Sequence, residues 1–86
     1  SCWLPGCTVG SAVRIVLDVN NPERSMYGFL DLLLDLMDEG CWGSVEKIFD
    51  AIQDRGTTTL TIICGPMQIR LAKKDSKIII DSRRFG

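Results

Sequence analysis

From Ala12 the chain alternates, with Val13, Ile15, Leu17 and Val19 on one side and Ala12, Arg14, Val16 and Asp18 on the other. That two-residue period predicts a strand with one strongly apolar face. Asn20-Asn21-Pro22 ends it. Residues 26 to 39 then switch to helical spacing. Met26, Phe29, Leu30, Leu33, Leu36 and Met37 form a core stripe, Leu32 and Leu34 flank it, and Asp31, Asp35 and Asp38 make a narrow ridge opposite. Such a helix carries more apolar surface than one core face needs, so it calls for a second apolar neighbour. Either Asn21, followed by Pro22 in the first turn, or Ser25 caps it.

Gly40 ends this helix, and Cys41-Trp42-Gly43 leads to a cap at Ser44. Val45, Ile48, Phe49 and Ile52 then repeat at the spacing of an ordinary amphipathic helix, closed by Arg55-Gly56. Three strands follow over residues 57–64, 67–73 and 77–81, separated by Gly65-Pro66 and by Lys74-Asp75-Ser76. Gaps this short permit only antiparallel neighbours. The expected fold is α+β: two helices packed on one face of a mostly antiparallel four-stranded sheet, in the order β-α-α-β-β-β. Residues 1–11 read as an irregular apolar arm, 12–82 as the single domain and 83–86 as a short basic tail. Ile78-Ile79-Ile80 breaks the alternation. Ile79 must face away from Ile78 and Ile80, toward the arm, the tail or an interface.

A length of 86 residues with 45% apolar content fits one small domain with a thin core. No basic start is followed by an apolar run, and no stretch of about 18 apolar residues occurs. The expectation is therefore a soluble, cytoplasmic protein whose four cysteines, Cys2, Cys7, Cys41 and Cys64, are reduced. Cys2-x4-Cys7 is followed by two single cysteines 23 residues apart, and there is no histidine, so neither a metal nor a cofactor is expected. Charge is uneven. Residues 1–54 hold nine acids and three bases, while residues 55–86 hold seven bases and two acids. The halves can neutralise each other within the fold or across copies.

Little here resembles catalytic machinery. The Asp31, Asp35, Asp38 ridge lies on a straight helix rather than a tight oxygen-rich loop, and reads as a solvated face. Asp38 and Glu39 sit where the helix dipole disfavours acids, which calls for a base from Lys73, Lys74, Arg83 or Arg84. Cys64-Gly65-Pro66-Met67 resembles half of a thioredoxin-type Cys-Gly-Pro-Cys motif, but it continues as a strand and its second thiol is Met. Without histidine, hydroxyl and thiol nucleophiles lack their usual base. The reading is of a protein that is not an enzyme and has no catalytic residue.

The leading expectation is a small adaptor or accessory protein that binds a protein partner or a second copy through Trp3, Tyr27, Leu32, Leu34 and Trp42, with Trp42 equally suited to the core. Thr57, Thr58, Thr59 and Thr61 suit an exposed sheet surface able to pair edge to edge with another copy. The alternative is an anion-binding module using Lys73, Lys74, Lys77, Arg83 and Arg84 on acidic lipid or phosphate. The last three strands carry no aromatic residue to stack a base, so nucleic acid is disfavoured. The strand ending in Val19, then Asn20-Asn21-Pro22-Glu23-Arg24-Ser25 and two helices, resembles the early core of rhabdovirus matrix proteins, where an Asn-x-Pro-x-Arg-Thr stretch follows a strand. The likeness covers residues 13–54 and implies peripheral membrane contact, although the basic, Pro-rich leader of that family is missing from these residues.

Overall fold

The computed structural model describes residues 11–18, 20–56 and 58–85, apart from the side chains of Ser11, Pro22 and Arg24. Strand β1 (Ser11–Asp18) leads through a 3-10 turn (Pro22–Ser25) into helix α1 (Met26–Asp38) and helix α2 (Trp42–Gln53). Strands β2 (Thr59–Cys64), β3 (Met67–Lys74) and β4 (Lys77–Arg84) follow. The expected α+β architecture is the one found: two helices pack on one face of a four-stranded antiparallel sheet. Its strand order is β1-β4-β3-β2.

Turn chemistry explains the two hairpins. Gly65 stands at φ 54° ahead of Pro66, and a left-handed residue followed by one locked at negative φ has the sign pattern of a II′ turn. Asp75, at φ 58°, starts the second turn, a conformation that Asp tolerates better than most residues. Both turns pair their flanking strands in register, Cys64 with Met67 and Lys74 with Lys77.

β4 is central and longer than its apolar run. It pairs with β1 from Asp18↔Lys77 to Ser11↔Arg84, and with β3 from Lys74↔Lys77 to Met67↔Arg84. Arg83 and Arg84 are therefore strand residues rather than a tail, because partners on both sides satisfy their backbone groups. Ile15, Ile80, Leu71 and Leu60 form one cross-strand row beneath the helices. Ile79 faces the other way, half-buried between Val16 and Ala72.

The core joins Phe29, Leu32, Leu33 and Leu36 of α1 and Val45, Ile48 and Ala51 of α2 to the sheet. α1 is thus rotated by roughly 50° from the orientation its apolar stripe suggests. Leu32, expected on a flank and at an interface, is only 5% exposed, while Met26 and Leu30 turn outward. Packing against the sheet and α2 selects this orientation and leaves Gly28 beside β1, where an added Cβ would lie 3.6 Å from Ile15 Cγ1. Phe49 likewise stands half out, edge-on to Phe29 with ring centroids 6.0 Å apart.

The helix junction is tighter than expected. Gly40, at φ 78°, donates to the Met37 carbonyl and Cys41 to the Leu36 carbonyl, the paired bonds of a Schellman cap. α2 then starts at Trp42, with Ser44 inside its first turn rather than capping it. Neither Asn21 nor Ser25 makes a side-chain cap. Ser25 instead donates its hydroxyl to the Val16 carbonyl, fastening the turn to β1.

Cys41 and Cys64 form a disulfide across a Cα–Cα distance of 6.2 Å, within the range that a bridge spans. The expectation of reduced thiols fails for this pair. Cys2 and Cys7 lie outside the described residues, as do Trp3, Val19 and Thr57. No helix of the described residues is long and apolar enough to cross a membrane.

Candidate interaction surface

Tyr27, Leu30 and Leu34 recur at i, i+3 and i+7, so α1 carries a second apolar stripe on the side away from its buried one. They are 82%, 45% and 57% exposed. Asp31, Asp35 and Asp38 run alongside, all exposed. Met26 connects this stripe to an open groove of about 370 Å³ whose apolar wall is Leu17, Phe29, Phe49, Ile52 and Ile78. Trp42 is 60% exposed at the start of α2. It sits seven residues before Phe49 and so on the same side of that helix.

Of the residues expected to make an interface, Tyr27, Leu34 and Trp42 are thus exposed, Leu32 belongs to the core, and Trp3 lies outside the described residues. Met26, Leu30 and Phe49 belong to the exposed apolar surface although their spacing places them in the core. Apolar residues occupy most of the surface of α1, so its spacing alone leaves the choice between these orientations open.

The five bases of the anion-binding alternative do not converge. Lys73 donates its ammonium to the Asp54 carbonyl at the end of α2, a favourable place for a cation. Lys74 and Lys77 pair at the hairpin end of β4, whereas Arg83 and Arg84 sit at the other end, about 20 Å away along the strand. Arg84 also reaches Glu39 at 3.1 Å, supplying the base that the acidic end of α1 required.

The sheet surface opposite the helices carries a polar row of Thr61, Arg70, Asp81 and Arg14. Arg14 grips Asp81 through Nε at 2.7 Å and Nη2 at 3.2 Å. The Asp81 carboxylate, by hydrogen bonding first and charge second, holds the guanidinium above its ordinary pKa. Cys64-Gly65-Pro66-Met67 is a hairpin turn whose cysteine is already in the disulfide. Comparison of the chain with protein-family models, curated proteins and solved structures finds no match.

Proposed function

We propose that this chain is a non-enzymatic protein-interaction domain that self-associates through the outer stripe of α1. One observation carries the reading: a helix that already buries Phe29, Leu32, Leu33 and Leu36 presents Tyr27, Leu30 and Leu34 outward on a single side. Single exposed apolar residues are ordinary, but a row continuous with Met26 and an apolar groove has the composition of an interface centre. The flanking aspartates supply a polar rim. Tyr27 offers a large, stiff contact with a hydroxyl able to reach water or a partner.

Sedimentation velocity over a concentration series tests this. The wild type associates reversibly, and Leu30→Glu with Leu34→Glu shifts it toward monomer without changing its circular dichroism. A wild type that stays monomeric at every concentration overturns the reading.

A further inference from the structure

The two outer strands of the sheet are finished differently. β1 carries Arg14 near its middle and Asp18 at its end, and the 3-10 turn packs on it with Ser25 bonded to the Val16 carbonyl. β2 reads Thr-Leu-Thr-Ile-Ile-Cys. It holds no charge, proline or bulge of the kind that natural sheets use to blunt an edge. Among the described residues no strand pairs with its outer side. Ile63 is 72% exposed there.

The ladder fixes which backbone groups are available. Lys73 donates to the Thr58 carbonyl at 2.9 Å, in register with Leu60↔Leu71 and Ile62↔Ile69. In an antiparallel pair alternate residues bond to the same neighbour, so Thr58, Leu60, Ile62 and Cys64 bond to β3. The amides and carbonyls of Thr59, Thr61 and Ile63 point out to the free edge.

We propose that β2 pairs antiparallel with β2 of a second copy about a twofold axis at Thr61. Thr61 lies midway between Thr59 and Ile63, so Thr61 faces its own counterpart while Thr59 faces Ile63 of the second copy. Every outward group then finds a partner, forming about six backbone hydrogen bonds. On the open surface the exposed Ile63 gains a β-branched neighbour, and on the helix side Leu60 meets Ile62 of the second copy, extending the apolar layer. An uncharged strand brings no like charges together at the axis, which suits it to its own copy. The product is a continuous eight-stranded sheet. This pairing uses no residue of the α1 stripe and does not rest on it.

Amide hydrogen exchange on the full chain at low and high concentration, combined with sedimentation velocity, tests the proposal. Protection of the Thr59, Thr61 and Ile63 amides rises with concentration. Thr61→Pro raises the dimer dissociation constant by at least about tenfold. Its lost N–H faces outward, so the pairing with β3 is retained. If circular dichroism shows that Thr61→Pro does not fold, Ile63→Lys at the same exposed edge gives the same readout. Edge protection that survives Leu30→Glu with Leu34→Glu supports the strand pairing even where the helix contact is absent. Edge amides that exchange equally at both concentrations overturn it, as does undiminished association of the folded edge variants.

Discussion

Cys41, immediately before α2, is disulfide-bonded to Cys64 at the end of β2, so the helix junction is stapled to the first hairpin of the sheet. The bridge closes a loop of sequence separation 23 that contains all of α2. Chain-entropy arithmetic for such a loop gives about 3 kcal/mol, a large share of the stability of so small a domain. Reducing the wild type, or replacing both residues by Ala, is expected to lower the urea midpoint accordingly. Equal midpoints for oxidised and reduced protein would show that the staple contributes nothing.

Leu32 and Leu34 are two residues apart on α1, yet only Leu32 is in the core. Leu32→Ala should cost about 3 kcal/mol through lost burial and a residual cavity. Leu34→Ala should change monomer stability by less than about 0.5 kcal/mol. Urea unfolding of both variants decides the orientation of the helix, and equal losses would contradict the observed rotation.

Two glycines are expected to respond to alanine with opposite signs. At Gly28 the added Cβ meets Ile15 Cγ1 at ordinary contact distance, and the helix interior gains a better former, so stability rises by about 0.5–1 kcal/mol. At Gly40 nothing crowds the new atom, but φ is 78°, and the left-handed conformation should cost Ala about 1 kcal/mol. Thermal unfolding of the two variants checks both signs, and Gly40→Ala matching the wild type would refute the cap argument.

Arg84 and Glu39 join the end of β4 to the end of α1, but both side chains are substantially solvent-exposed. A double-mutant cycle with Arg84→Met and Glu39→Gln should therefore return a coupling of only about 0.5 kcal/mol, weakening in high salt. A coupling several times larger would mean that the pair acts as a buried contact.

Much of this was legible in local pattern. The strand and helix periods, the Gly65-Pro66 turn and the short gaps in the C-terminal half identify the elements and force their antiparallel order. Other features had no local signal. Ser82, Arg83 and Arg84 lack apolar alternation, and only the strands on both sides make them part of β4. The spacing of Cys41 and Cys64 says nothing about their separation in space. Apolar residues cover so much of α1 that the wheel allows several orientations, and only packing against the sheet and α2 selects one.

The sequence alone determined the element types, the two hairpins and the α+β class, because periodicity and turn residues act over a few positions. Tertiary structure decided that the first strand joins the last, that Leu32 faces in while Leu30 faces out, and that Cys41 meets Cys64. It also decided that β1 has its edge fastened by Ser25, while among the described residues no strand pairs with the outer side of β2. Each of these depends on which distant segments share one core, and closing long stretches of chain onto that core is a global balance that no local pattern encodes.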